Sequence, residues 1–205
     1  MRVIEKVEIK LEWKDIDSRV VHPRPTYKRS TGKKVKHVME ILRHVAVNNG
    51  RLRDEDRIDE MPLVVGLGMA FEEWCAGLYP NMHLQPGEVK REGVAGNPDG
   101  FDSIFIGDLV DEFKFTYKSL RKRQDIRDEW MWMQQVMAYI NIIDQEKYVF
   151  GGEVFRPSHG RFHICWANGD YTYPLQPRYI RYLVEFGRME LEENWNMMTK
   201  YAKEV

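Results

Sequence analysis

The chain has 205 residues, of which 43% are hydrophobic and 31% are charged, and its formal net charge is −1. This composition excludes a disordered chain and provides enough apolar residues for one core, so we expect residues 1–205 to form a single domain. No apolar run approaches the roughly 20 residues of a membrane-spanning helix, and the first ten residues lack the apolar segment of a secretory signal. We therefore expect a cytoplasmic protein with no membrane partner.

Basic residues are concentrated in two stretches, although the total charge is nearly neutral. Ten lysines and arginines face one acid between Arg19 and Arg53, and six face one acid between Lys114 and Arg127. Because Lys and Arg attract the phosphate backbone of nucleic acids, both stretches favour DNA as a partner. A charge run alone is more often a solvated surface. Residues 15–33, in which prolines and a glycine stand among basic residues, are interpreted as an irregular basic arm.

The first part of the chain predicts one strand and two helices. Apolar and charged residues alternate from Val7 to Trp13, which indicates a strand with one buried face. Apolar residues at helical spacing predict a helix over 34–48. A second helix is predicted over 62–78, where the proline at its start suits the first helical turn.

The middle of the chain predicts a hairpin followed by a helix. Short strands are expected over 88–91, 100–106 and 109–116, and Gly107-Asp108 is expected to form the tight turn between the last two. A third helix, rich in Trp, Met and Gln, is predicted over about 125–143.

The C-terminal third predicts a β-meander and a final helix. Strands over 148–155, 161–166 and 170–173 are expected to pair in sequence, with Asn168-Gly169 as a strong hairpin signal. Apolar residues then recur at helical spacing, so a helix is predicted from near Pro177 towards Lys203.

The candidate chemistry is concentrated in residues 97–114, which contain two acids and a lysine. Glu112 and Lys114 are two apart in a predicted strand, so their side chains share one face while Phe113 points into the core. Asp99, from the preceding strand, can reach the same face. Two hard oxygen donors suit Mg²⁺ or Mn²⁺, and a lysine beside them can act on a water or stabilise developing charge. The alternative is a hairpin with an ordinary surface ion pair.

This stretch resembles the PD-(D/E)xK nuclease superfamily. The motif is matched by Pro98-Asp99 followed by Glu112-Phe113-Lys114. The resemblance implies an α/β fold with a restriction-endonuclease-like core, in which a central mixed β-sheet is flanked by helices.

Two further matches resemble the RecB-like and phage exonuclease branch, which includes lambda exonuclease and the YqaJ-like recombinases. Glu72 follows Gly68 by four residues within a predicted helix, as the helical motif of that branch requires. Gln135 and Tyr139 form a QxxxY pattern, and their spacing of four places them on one helix face. Trp130 and Trp132 stand in the same helix and could stack on unpaired bases, although packing against the core is the commoner role of such residues.

The resemblance also assigns roles to individual residues. The implied catalytic residues are Asp99, Glu112, Lys114, Gln135 and Tyr139. The implied metal ligands are Glu72, Asp99, Glu112 and the backbone carbonyl of Phe113, with Glu73 as the alternative to Glu72. DNA contacts are expected from Arg29, Ser30, Lys33, Lys34, Asn97, Lys118 and Arg121. The period of two places Asp111 opposite Glu112, so Asp111 is expected to be structural.

The cofactor expected from these residues is Mg²⁺ or Mn²⁺ alone. Cys75 and Cys165 cannot supply a four-cysteine iron–sulfur cluster within one chain, and both are expected to be small buried hydrophobes. The sequence has no GxxxxGK[ST] loop, so no ATP is expected.

The function expected is that of a metal-dependent DNA exonuclease in recombination, repair or viral genome processing. DNA is the expected partner, with a single-strand annealing or recombination protein as a further candidate, in a bacterial cell or a phage-infected host. A structure-specific or site-specific endonuclease of the same fold is the first alternative. An inactive nucleic-acid-binding protein is the second.

Overall fold

The computed structural model describes residues 1–11, 35–51, 62–79, 82–104, 107–117, 125–143, 149–150, 153–154, 158–167 and 177–204. The whole predicted basic arm and the predicted strand over 170–173 lie outside these ranges. So do six of the residues expected to contact DNA, namely Arg29, Ser30, Lys33, Lys34, Lys118 and Arg121.

The described residues form eleven strands, four α-helices and one short 3-10 helix. The strands are β1 (Arg2–Lys10), β2 (Lys36–His37), β3 (His83–Leu84), β4 (Val89–Arg91), β5 (Val94–Gly96), β6 (Gly100–Ile104), β7 (Gly107–Thr116), β8 (Val149–Phe150), β9 (Glu153–Val154), β10 (His159–Trp166) and β11 (Arg178–Glu185). The helices are α1 (Val38–Asn48), α2 (Pro62–Leu78), α3 (Trp130–Ile143) and α4 (Arg188–Tyr201), and a short 3-10 helix spans Ile126–Asp128.

A six-stranded mixed sheet forms the centre, with the strand order β1-β11-β10-β7-β6-β3. Only β7 and β10 pair in parallel in this sheet, and the other described neighbours are antiparallel. A parallel pair needs a crossover connection, and α3 lies between these two strands in sequence. The predicted architecture, a central mixed sheet flanked by helices, is confirmed. None of the described helices is long and apolar enough to cross a membrane.

The helices cover both faces of the sheet. On one face α1, α3 and α4 contribute to the larger apolar cluster, for example through Ile41, Ile142 and Met198. On the other face α2 forms a smaller cluster, in which Phe71 packs with Phe113 of β7. The strands thus carry two cores, and successive residues of β7 belong to different ones.

Both cysteines lie in the smaller cluster, as expected. Cys75 and Cys165 are free and buried. Burial raises the pKa of the Cys165 thiol to about 12, and burial also raises that of Cys75. Neither thiol is therefore ionised near neutral pH, which suits a packing role.

The helical predictions are largely confirmed in the first two thirds of the chain. The structure gives α2 the predicted bounds, Pro62–Leu78. Helix α1 begins at Val38, later than expected, because the ring of His37 accepts a hydrogen bond from the Met39 backbone N–H and caps the helix. Helix α3 likewise begins at Trp130, after the short 3-10 helix.

Two predicted turns and pairings are wrong. Gly107 pairs with Ile104, so Gly107-Asp108 belongs to β7 and is not the hairpin turn. The predicted meander does not form among the described residues, since β8 and β9 pair with each other while β10 pairs with β7 and β11. Parallel pairing of β10 joins residues about 50 positions apart, which turn signals alone do not reveal.

The predicted start of the final helix is also wrong, because residues 178–185 form strand β11. This strand lies between β1 and β10, and both of its faces are covered, so its apolar residues form a run (Tyr179, Ile180, Tyr182, Leu183 and Val184) rather than an alternation. Such a run cannot be separated from a buried helix by periodicity. The helix begins only at Arg188, after Gly187.

Candidate active site

Strand β7 places Glu112 and Lys114 on the face of the sheet that packs against α3. Its pairing with β6 ends where Asp111 meets Gly100, so Glu112 and the residues after it extend beyond β6. Glu112 is buried and Lys114 is partly exposed. Phe113 points to the opposite face, where its ring stacks on that of His163. The predicted alternation of these side chains is therefore confirmed.

Asp99 reaches the same part of β7 from the turn before β6. Its carboxylate accepts a hydrogen bond of 2.8 Å from the backbone N–H of Phe113. Because the N–H and C=O groups of a strand residue point to the same edge, the Phe113 carbonyl also faces the edge where Asp99 lies. The predicted roles of Asp99 and the Phe113 carbonyl as metal ligands remain predictions, and this geometry favours them.

A chain of hydrogen bonds links the lysine to α3. Lys114 Nζ donates to Glu112 Oε1 and, over 3.1 Å, to Gln135 Oε1. The amide nitrogen of Gln135 donates to the Tyr139 hydroxyl over 2.9 Å. Gln135 and Tyr139 are one turn apart on α3 and both are buried. Four residues from two elements therefore form one connected polar site.

A glycine that the sequence analysis did not single out makes room for this chain. A Cβ atom built on Gly96 would lie 2.4 Å from Cε1 of Tyr139, closer than packed atoms approach. The tyrosine ring therefore fits only because position 96 has no side chain. Nothing in the spacing of Gly96 reveals this contact, since the ring comes from a helix 43 positions later.

Negative charge exceeds positive charge at the site. Burial, together with the charge of Asp99, raises the pKa of Glu112 to about 8, although Lys114 acts in the opposite direction. Burial acts to lower the pKa of Lys114, but the charges of Glu112, Asp99 and Glu72 outweigh it and raise that pKa. The charges of three acids, including Glu72 of α2, therefore act on one ammonium group.

The donor atoms of this site suit a divalent cation. Glu112 Oε2 and Asn97 Oδ1 are buried and have no hydrogen-bond partner in the described part of the chain. A buried carboxylate oxygen without a partner is costly, and a cation offsets that cost. Among the described residues no three His, Cys, Asp or Glu side chains are already gathered as metal ligands. Mg²⁺ needs only one or two carboxylates, because it keeps several waters, so Asp99 and Glu112 fit it.

A second polar cluster, which the sequence analysis missed, lies on the opposite face of β7. Asp111 accepts hydrogen bonds from Arg161 Nε (2.6 Å) and His163 Nε2 (2.8 Å). Arg161 also donates to Asp102 over 2.6 Å, and His163 Nδ1 lies 2.8 Å from the Tyr179 hydroxyl. The expectation that Asp111 is structural agrees with these contacts. Arg161 and His163 could not be found from spacing, because their strand was assigned to a meander.

Comparisons with known proteins add little to this geometry. No family model matches the chain, and no curated protein matches it. Among solved structures, the chain is similar to a phage related exonuclease from Haemophilus somnus 129PT, with 10% identity and a TM-score of 0.43. That similarity covers 80% of this chain and 79% of the other. The function is therefore inferred from the residues of this chain alone.

Proposed function

We propose that the protein is a divalent-metal-dependent DNA exonuclease that hydrolyses phosphodiester bonds without ATP. The observation that carries the proposal is the connected site formed by Glu112, Lys114, Gln135 and Tyr139, with Asp99 on the next backbone N–H. An isolated surface ion pair would lack a buried acid with one unpaired oxygen. It would also lack the amide and hydroxyl groups that hold the lysine in place.

Asp99 and Glu112 would hold the metal, with the Phe113 carbonyl and Glu72 as the remaining candidate ligands. When bound, Mg²⁺ or Mn²⁺ supplies positive charge that lowers the pKa of a water and stabilises the phosphoryl oxygens. Lys114 presents an ammonium group at the same carboxylate, where it can hold the attacking water or neutralise charge on the phosphate.

Gln135 and Tyr139 act as positioning residues in this proposal. The amide oxygen of Gln135 accepts from Lys114, and its nitrogen donates to Tyr139, so both ends of the amide are fixed. An ammonium group held in this way loses little freedom when the substrate arrives, which favours catalysis. The basic residues predicted along the arm and after β7, together with Asn97, would hold the DNA backbone.

We further propose that the enzyme serves recombination, repair or viral genome processing in the cytoplasm of a bacterial or phage-infected cell. A single-strand annealing or recombination protein would then take up the strand that remains. The geometry of the site supports the proposed chemistry, and these broader assignments rest on the sequence resemblance.

The test is incubation of the protein with linear and covalently closed circular DNA, with Mg²⁺, with Mn²⁺ and with chelator. Linear DNA should be degraded from its ends in the presence of metal, while closed circles remain intact. Cutting of the circles would identify an endonuclease instead. Linear DNA that stays intact with both metals would contradict the proposal.

The lysine provides the matched test. Lys114→Ala should lower the cleavage rate by about 10³-fold or more, because charge stabilisation at the reacting phosphate is lost. The exposed Lys90 of β4 is the control, and Lys90→Ala should cleave at the parental rate. Equal rates for the two variants would remove Lys114 from the mechanism, provided that both keep the parental thermal midpoint.

A further inference from the structure

Helix α3 carries an aromatic side chain on the same face as the two positioning residues. Trp132 precedes Gln135 by three residues and Tyr139 by seven, which is the spacing of one helix face. Trp132 is partly buried, so part of its indole ring stays accessible. Trp130 lies on another side of the helix, where Arg51 covers its ring at 4.8 Å. The two tryptophans of α3 therefore have different surroundings.

The neighbours of Trp132 place it beside the carboxyl end of β7. Its ring centroid is 6.2 Å from that of Trp166, and Trp166 pairs with Thr116 in the parallel register of β7 and β10. Lys114 is two residues before Thr116, a distance of about 7 Å along the strand. The aromatic pair thus borders the catalytic lysine on the side away from Tyr139.

The second tryptophan of this pair has an unsatisfied donor. The indole N–H of Trp166 is buried and finds no acceptor among the residues that the structure describes. Because this nitrogen is enclosed, a ligand at the surface does not reach it, and Trp166 supports Trp132 by packing ring against ring.

We propose that Trp132, supported by Trp166, is a stacking platform for an unpaired base next to the phosphate that is cut. This inference rests on the proposed function and specifies its substrate as a DNA strand whose terminal bases are single-stranded or frayed. A base inside a duplex already stacks on its neighbours, and unstacking it costs free energy. Stacking on an aromatic side chain tolerates every base, as an end-processing enzyme requires.

The test measures binding without cleavage, so that it stays separate from the nuclease assay. Anisotropy of a labelled single-stranded oligonucleotide is titrated in chelator with the parental protein, Trp132→Leu, Trp132→Phe and Trp130→Leu. Trp132→Leu should weaken binding by about fivefold to 100-fold. Trp132→Phe, which keeps an aromatic face, should recover most of the affinity, and the control Trp130→Leu should bind like the parental protein.

A series of oligonucleotides with one abasic position each identifies the stacked base. For the parental protein, one abasic position should weaken binding to the level seen with Trp132→Leu, and the same position should have no further effect on that variant. Additive losses, or equal binding by all four proteins, would overturn the proposal. Base-dependent binding through Trp132 without cleavage in metal would instead refute the nuclease function and leave the platform standing.

Discussion

Two neighbouring acids on β7 have opposite environments. Asp111 and Glu112 are adjacent, both are buried, and their side chains leave the strand on opposite faces. Asp111 meets Arg161 and His163, and both of its oxygens accept hydrogen bonds. Glu112 meets Lys114 with one oxygen, and its other oxygen has no partner in the described residues. Among the described residues, hydrogen bonds satisfy both carboxylate oxygens on the Asp111 side, here called the compensated face, and only one on the Glu112 side, the uncompensated face.

The donor and the acceptor can be assigned for the hydrogen bonds of His163 on the compensated face. A carboxylate only accepts, so His163 must donate from Nε2 to Asp111, and its Nδ1 then accepts from the Tyr179 hydroxyl. The Tyr179 oxygen lies 3.3 Å from the Tyr79 hydroxyl, which itself accepts from Arg181. Burial lowers the pKa of His163, so the ring stays neutral. Asp111, His163 and Tyr179 thus satisfy one another, which suits a role in the fold.

The uncompensated face has the properties of a binding site. An acid whose pKa is raised by burial and by a neighbouring carboxylate destabilises the protein unless a cation arrives. Asp111 and Glu112, although adjacent, therefore differ in how far the described residues satisfy their carboxylates.

The largest effect is expected from a substitution that removes the charged acceptor on the compensated face. Asp111→Asn should destabilise the protein by about 3–5 kcal/mol, because Arg161 and His163 each lose a charged acceptor in a buried site. Urea unfolding followed by circular dichroism measures this loss. A variant within 1 kcal/mol of the parental protein would show that the network does not support the fold.

The same acid-to-amide change at the next residue should stabilise the protein rather than destabilise it. In chelator at pH 8, Glu112→Gln should stabilise the protein by about 2 kcal/mol, the gain being limited because Lys114 loses an ion-pair partner. The pKa of Glu112 is raised in the folded state, so its contribution is present at low pH and is lost as pH rises towards about 8. The difference between the two proteins should therefore grow from pH 5 to pH 8.

Metal addition supplies the control for this second prediction. Under the proposed function Mn²⁺ would bind the folded state only, so it should raise the thermal midpoint of the parental protein at pH 8 and leave Glu112→Gln unchanged. Glu112→Gln should also lose cleavage activity. A destabilised Glu112→Gln variant at pH 8 in chelator would mean that Lys114 fully compensates the acid.

The roles of the candidate site residues remain predictions, but part of their geometry could be predicted from the sequence. Glu112 and Lys114 share one face because strand alternation is a local feature, whereas Asp99, expected on the preceding strand, lies just before β6. Gln135 and Tyr139 could be located because a spacing of four on a helix is equally local. Their connection through Lys114 is a matter of packing between α3 and β7, and only the structure reveals it.

The wrong predictions concern strands whose place in the sheet depends on pairing between distant parts of the sequence. Strand β11 was predicted to be a helix because it is covered on both faces, and β10 was placed in a meander because its parallel partner is distant in sequence. Arg161 and His163 lie on β10, so the compensated cluster was missed with it. The spacing of side chains along one strand or helix can be predicted from the sequence. The partners of a buried charged residue depend on which strands become neighbours.

The smallest effect is expected from a substitution that weakens the support of Lys114 on the uncompensated face. Tyr139→Phe removes the hydroxyl that accepts from the Gln135 amide, so the amide can turn and Lys114 loses part of its support. We expect a turnover about tenfold lower, which is about 1.4 kcal/mol in the barrier, with little change in the KM for DNA. Tyr182→Phe is the control, since Tyr182 is a buried tyrosine of the same apolar cluster on β11. If both variants lowered turnover alike, the loss would not be specific to the Tyr139 hydroxyl, and its role in orienting Lys114 would be refuted. A selective fall in turnover for Tyr139→Phe would instead show that the hydroxyl orients the lysine, because packing of the two rings is preserved in both variants.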